Sequence, residues 1–412
     1  MNILVISNLY PPLGIGGYEE RCLHTVNALR ERGHTVNVLT SNHKLTDSSP
    51  KNENGVYREL QIHGFYGHPW LPIHKLYKLE KKNQKILKRH LRELSPDVVH
   101  VWNMGGISKS LLLTLESTDI PLVYDISDHW IARSLIADVW LSWWNEPGSI
   151  FRKVLRGIAK TIGLKSLISK QVPTNSVSDL RFDNIYFCSA FMRNLTVDKG
   201  YPVAHADVIY CGVESELFKK KKTYPPVERF IWVGRLAEDK DPLTTIRGVI
   251  KARNELGKSL TLDIYGRGSK EYVDLLKGEI DSYNASDYIH LKSATHTEMR
   301  ALYADYDAYI FSSNWGEPFA LTPLEAMSAQ VPVIMCPDGG DAELLEDGLN
   351  ALEFQAGNPE SLSNAIKRLV QLKGHGQSIA EYAYNDVMNK YTVDIMTAKI
   401  ESYLQSAIVD DA

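Results

Sequence analysis

The chain has 412 residues, 44% of them hydrophobic and 23% charged, with a net charge of −4. That length exceeds one ordinary core and suits two domains of about 150–200 residues each. The charge balance excludes a global basic field for nucleic acid, so any attraction to polyanions must come from local patches.

Taken in chain order, Asn2–Ser7 reads as a first β-strand, because Met1–Leu9 is too short and lacks the basic leader of a signal peptide. Gly14–Gly17 follows as a glycine-rich turn, then Tyr18–Arg32 as a helix closed by Gly33. Thr35–Thr40, Asp97–Trp102, Leu122–Asp125, Ile185–Ser189 and Asp207–Tyr210 are the next predicted strands. Lys219–Lys222 with Tyr224-Pro225-Pro226 reads as a polar connector. Beyond it Phe230–Val233, Leu260–Tyr265, Ile289–Leu291, Ala308–Ser312 and Val333–Cys336 restart the alternation of strands with helices. The pattern predicts an α/β protein with two doubly wound domains, 1–213 and 229–391, joined by a linker at 214–228. A last helix at about 392–412 is expected to pack back on the first domain. Ligands of such sheets bind at the carboxyl ends of the strands, here expected to face a central cleft.

The densest motif is Ser312-Ser313-Asn314-Trp315-Gly316-Glu317-Pro318-Phe319-Ala320-Leu321-Thr322-Pro323-Leu324-Glu325-Ala326-Met327, running from a strand end into a helix. Pro323 suits a first helical turn, and the free N–H groups there favour anions. Glu317 precedes the helix and Glu325 lies on it eight positions later, so the two carboxylates address different parts of one ligand. Val233-Gly234-Arg235-Leu236-Ala237-Glu238-Asp239-Lys240 follows the first strand of the second domain, and its two cations suit a leaving group of concentrated negative charge. In the first domain Gly16, Gly17 and Glu19 join strand to helix. A dinucleotide site would need an acid after the second strand, but Val38-Leu39-Thr40-Ser41 stands there. Asp125-Ile126-Ser127-Asp128-His129 puts a polar cluster at another strand end.

The E-x7-E run resembles the signature of the large retaining glycosyltransferase family known as group 1, or family 4. Gly339-Gly340-Asp341-Ala342-Glu343 and Asp347-Gly348-Leu349-Asn350-Ala351-Leu352 resemble its downstream turns. Ala320 and Ala351 depart from it, standing where glycine is usual. The resemblance implies a GT-B fold of two Rossmann-like domains and transfer from a nucleotide sugar with retained anomeric configuration. It implies that Glu317 orients the reacting sugar, that Arg235 and Lys240 hold the diphosphate, and that Glu325 binds the ribose. Gly234, Gly266, Phe319, Ala320, Leu321 and Thr322 would complete the donor pocket. Gly16, Gly17 and Glu19 would face the acceptor, with His129 and Asp128 near the donor sugar. The acceptor is a glycan, a lipid-linked sugar or a small molecule. A sugar-nucleotide epimerase on the same fold and a non-catalytic nucleotide-sugar-binding protein remain as alternatives.

No metal is expected, and no cofactor beyond the nucleotide-sugar co-substrate. The four cysteines form no C-x-x-C pair, and Asp305-Tyr306-Asp307 precedes a strand instead of following one. The cysteine pattern also fits the reducing cytoplasm. From Phe151 to Lys170 six basic residues and no acidic one accompany apolar residues at helical spacing, with Trp140, Trp143 and Trp144 upstream. Two readings apply: peripheral contact with the inner face of a membrane, or a helix packed on the first domain with its basic face in water.

Overall fold

The computed structural model describes residues 1–13, 16–44, 52–53, 55–134 and 138–410. Gly14 and Ile15, expected in the glycine-rich turn, lie outside the described residues. The chain divides into two compact units, Met1–Ile209 with Thr397–Ala412, and Tyr210–Met396.

The strands of the first unit are β1 (Asn2–Ile6), β2 (Thr35–Ser41), β3 (Asn52–Glu53), β4 (Val56–Leu60), β5 (Val98–Val101), β6 (Leu122–Ile126), β7 (Asn184–Phe187) and β8 (Asp207–Val208). They form one sheet in the order β3-β4-β2-β1-β5-β6-β7-β8, parallel throughout except for the β3–β4 pair. The central strands are continuous apolar runs such as Ile3-Leu4-Val5-Ile6, because helices cover a parallel sheet on both faces. Helix Gly17–Glu31 supplies the crossover between the parallel neighbours β1 and β2, and helix Ile73–Leu94 carries the chain from β4 across to β5. The β3–β4 hairpin edge was not anticipated in the sequence.

The second unit holds β9 (Arg229–Val233), β10 (Thr261–Tyr265), β11 (Ile289–Lys292), β12 (Ala308–Phe311), β13 (Val333–Met335) and β14 (Leu352–Glu353). Their order is β11-β10-β9-β12-β13-β14, all parallel. Phe230, Ile264, Ile310 and Ile334 anchor its core beneath helices Pro242–Leu256 and Pro359–Gln371. Strand order reverses on either side of β9, so the loops after β9 and β12 lie side by side. Such a switch point is where doubly wound sheets take their ligands.

Residues 214–228, expected as a linker, are part of the second unit. Lys221 is buried there, its ammonium on Asp307 at 3.1 Å and on the Tyr306 carbonyl at 2.7 Å. A buried lysine holds its charge only with such partners. Asp307 also accepts the backbone N–H groups of Glu228 and Arg229, so the D-x-D triplet works as a brace. The last helix, Val393–Asp410, starts in the second unit and ends in the first. There Ile400 and Leu404 are buried, Glu401 pairs with Arg32 and His34 at 2.7 Å each, and the Tyr403 hydroxyl bonds to both backbone groups of Ile185.

Candidate functional site

The loop after β9 is shaped by close backbone approach. Gly234 N–H donates to the Tyr265 carbonyl at 3.1 Å, and a Cβ at Gly266 would stand 2.0 Å from the Gly234 oxygen. Glycine at 266 therefore lets the two loops pack, independently of any ligand. At the end of the β9 loop Asp241 takes a left-handed conformation and caps helix Pro242–Leu256 through the Thr244 N–H at 3.1 Å. Its second carboxylate oxygen accepts Asn314 Nδ2 at 3.1 Å, tying this loop to the one after β12. The Ser312 hydroxyl, 2.8 Å from the Asp241 carbonyl, and the Asn314 N–H, 3.2 Å from the Asp239 carbonyl, complete the tie.

That tie brings Lys240 onto Glu317: the ammonium and the carboxylate form a direct ion pair. Ser313 Oγ lies 2.6 Å from the same Glu317 oxygen, and the Lys240 charge sits 5.2 Å from the Trp315 ring centre. Glu317 is 6% exposed. Its backbone runs against Gly339, which has φ +83° and whose missing Cβ would come within 2.5 Å of Glu317 N and O. Gly340 N–H then donates to the Glu317 carbonyl at 2.7 Å. Arg235, by contrast, is 58% exposed and turned to Asp239 on its own loop at 2.8 Å.

Behind Glu317 stands Asp341, fully buried and outside the set of residues expected at the site. One oxygen accepts the Ala320 N–H at 2.6 Å, so the backbone donor expected for a ligand at Ala320 is already occupied. The other oxygen meets no hydrogen-bond partner among the described residues. Burial, and after it the charge of Glu317, push the Asp341 carboxyl well above the usual carboxylate range. The signal was present in the G-G-x-x-E turn, whose third position is an acid in this chain.

Glu325, on helix Leu321–Ser328, accepts the Tyr303 hydroxyl at 2.8 Å and lies 3.3 Å from His296 Nε2. The Thr322 hydroxyl accepts that of Tyr309 at 2.7 Å, while Leu321 is half-buried. Phe319 stacks on Tyr210 at 5.2 Å, and the Tyr210 hydroxyl reaches Glu343 at 3.0 Å. A recess at the ends of β10 and β11 is lined by Tyr265, Lys292, Ala294 and Leu302.

In the first unit the Gly16 N–H donates to Glu19 at 2.8 Å, so Glu19 caps its own helix, which begins at Gly17. Asp125, at the end of β6, is fully buried and accepts Arg21 Nη1 at 2.6 Å on both oxygens. Arg21 was missed. It shares the buried helix face with Cys22, Thr25 and Leu29, a position that a charge occupies only with a partner. Asp128 accepts the His129 N–H at 2.6 Å, and His129 is buried. Among the described residues no group of three or more His, Cys, Asp or Glu side chains is placed to hold a metal ion.

Two families match the chain in succession. Residues 15–217 match the family described as Glycosyltransferase Family 4, and residues 213–386 that described as Glycosyl transferases group 1. An uncharacterized glycosyltransferase of Methanocaldococcus jannaschii is 25% identical over 408 residues, covering 96% of this chain and 95% of that one. A glycosyltransferase structure from Rickettsia africae has a TM-score of 0.71 at 16% identity and covers 100% of both chains. The Anabaena HepE structure in complex with UDP and glucose has a TM-score of 0.67 at 18% identity, covering 98% of this chain and 99% of that one. These likenesses identify the architecture as the GT-B fold.

Proposed function

The chain belongs to the group 1 and family 4 glycosyltransferases, and from that premise we propose that it moves a sugar from a nucleotide-sugar donor to an acceptor with retention of anomeric configuration. The observation that carries this reading is the Lys240–Glu317 ion pair at the switch point of the second unit. A nucleotide sugar reacts by losing its diphosphate, which leaves positive charge on the sugar ring and negative charge on the leaving oxygen. A cation beside a carboxylate places one charge of each sign where the two developing charges need them. In this assignment Lys240 and Arg235 hold the diphosphate. Binding draws Lys240 toward the phosphates, and Glu317 turns its negative charge to the sugar.

Glu325 receives the ribose hydroxyls, using the oxygen that lies toward half-exposed His296. The nucleoside base takes the recess beside Tyr265 and Lys292. Gly16, Gly17 and the Asp128-His129 turn serve the acceptor side. UDP in the Anabaena neighbour supports a nucleoside diphosphate as the leaving group. Lys240 and Arg235 supply the charge that the departing diphosphate needs, so the proposed reaction runs without a metal.

A thermal-shift screen against nucleoside diphosphates and nucleotide sugars tests the reading, since binding to the folded state raises apparent stability by mass action. The expected result is stabilisation by one family of nucleotides, followed by turnover of the matching sugar in the presence of EDTA. Inversion of the anomeric centre, read by proton NMR of the product, would overturn the retaining assignment. Loss of turnover in EDTA with rescue by magnesium would overturn the metal-free one.

A further inference from the structure

Of the two readings of segment 150–170, packing of its apolar face on the first domain is not what the structure has: that face is exposed. Helix Ile150–Thr161 is capped by Ser149 and followed, after Gly163, by helix Leu164–Ser169. Ile150, Phe151, Val154, Leu155, Ile158 and Ile162 form one stripe along it, and that stripe faces outward. Ile150 is 82% exposed, Phe151 72% and Ile162 65%, and Leu164 and Leu167 extend the stripe. Half of the sixteen exposed large hydrophobic residues found among the described residues fall within these 18 positions.

The side packed inward carries Ala159 and two arginines. Arg152 Nε donates to the Trp143 carbonyl at 3.0 Å, and its guanidinium also meets the Ser142 carbonyl. Arg156 donates to the carbonyls of Trp144 and Glu146 at 3.0 and 2.8 Å. These oxygens belong to the end of helix Val139–Asn145, where unsatisfied carbonyls and the helix dipole favour cations. The arginines therefore moor the helix. Lys153, Lys160 and Lys170 stay exposed on its flank and end.

We propose that this stripe is a docking surface for an anionic lipid bilayer, lying in the interface with its apolar residues among the acyl chains and its lysines at the headgroups. Contiguous apolar patches on soluble surfaces mark sites of contact. Charge selects the occupant here: the segment from Phe151 to Lys170 has no acidic residue, and apolar residues flanked by lysine match an anionic interface. A second copy of the chain fits worse, because a two-fold contact brings two identical stripes together, each flanked by exposed lysines and free of acidic residues to answer them. Attachment is peripheral, since no helix among the described residues is long and apolar enough to cross a membrane. This proposal does not depend on the reaction assigned above.

The test is co-sedimentation of the full chain with phosphatidylcholine vesicles, with and without phosphatidylglycerol, at low and high salt. The protein is expected to pellet with the anionic vesicles at low salt and to be released as salt screens the lysines. Phe151→Ser with Ile158→Ser, and separately Lys153→Glu with Lys160→Glu, should each weaken binding about tenfold or more. Both pairs are exposed, so melting temperature stays at the parent value and reports an intact fold. Arg156 is left in place because it holds the helix. Protein that stays in the supernatant with anionic vesicles overturns the proposal. So does equal binding to neutral vesicles, or binding unchanged in both variants. A parent dimer that Phe151→Ser with Ile158→Ser dissolves would reassign the stripe to self-association.

Discussion

Replacing Glu317 separates catalytic charge from structural support, because the side chain serves both. Its Oε1 receives the Lys240 ammonium and lies 2.6 Å from Ser313 Oγ. Hydrogen bonds to charged groups contribute about 1.5–3 kcal/mol each. Glu317→Ala removes both and leaves Lys240 facing an empty space. A fully buried ion pair broken in this way costs about 3–5 kcal/mol. Lys240 is 18% exposed and can turn toward water, so about 2–3 kcal/mol is expected. Glu317→Gln keeps an oxygen for Ser313 and Lys240, and about 1 kcal/mol is expected. Turnover follows charge instead: both variants should lose about 10²–10³-fold, the cost of removing one electrostatic group from the transition state. Nucleoside diphosphate release at saturating donor measures the rate, and urea unfolding measures stability. The reasoning fails if Glu317→Gln turns over within a few-fold of the parent. It fails equally if the losses of rate in the two variants follow their losses of stability.

Arg235→Ala should change stability by no more than about 0.5 kcal/mol, since the side chain is exposed with one surface ion pair. Its affinity for nucleoside diphosphate by calorimetry should fall about tenfold or more, and parent-like affinity would remove Arg235 from the site. Gly266→Ala forces a Cβ to 2.0 Å from the Gly234 oxygen and should destabilise by about 1–3 kcal/mol; an unchanged melting temperature would show that the loops part freely. Asp263 is pushed up by burial, but hydrogen bonds from Lys292, Tyr306 and His290 prevail and hold it below the usual carboxylate range. Its folded value is thus below its unfolded value of about 3.9, so its contribution is present above that pH and lost as pH falls through the folded value. The urea-midpoint gap between the parent and Asp263→Asn should therefore narrow below about pH 4, and a gap that widens in acid would contradict the sign.

Apolar runs made most of the fold readable, because a parallel strand buried on both faces is a short unbroken hydrophobic segment. Ile3-Leu4-Val5-Ile6 and Ala308–Phe311 are of this kind. The β3–β4 pair is not evident in the sequence because Val56-Tyr57-Arg58-Glu59-Leu60 alternates between buried and half-buried positions and has no apolar run to announce it. The likeness of residues 312–352 to a known signature carried the family assignment, whereas Asp341 and Arg21 acquire their meaning only through distant partners. Periodicity showed that Phe151, Val154 and Ile158 share one face. It contains no information on whether that face looks inward, which was decided by carbonyls at the end of another helix.

The passage of helix Val393–Asp410 from one unit into the other has a consequence for biosynthesis. Chains emerge from the ribosome amino end first, and domains tend to fold as they appear. The second unit is continuous in sequence, so it has its full complement of residues as soon as Met396 is made. The first unit begins earlier yet waits for Glu401, Tyr403 and Leu404 to settle beside Arg32, His34 and Ile185. Removing residues 397 onward would therefore leave the earlier-made unit open where Ile400 and Leu404 pack, while every residue of the later-made unit is present.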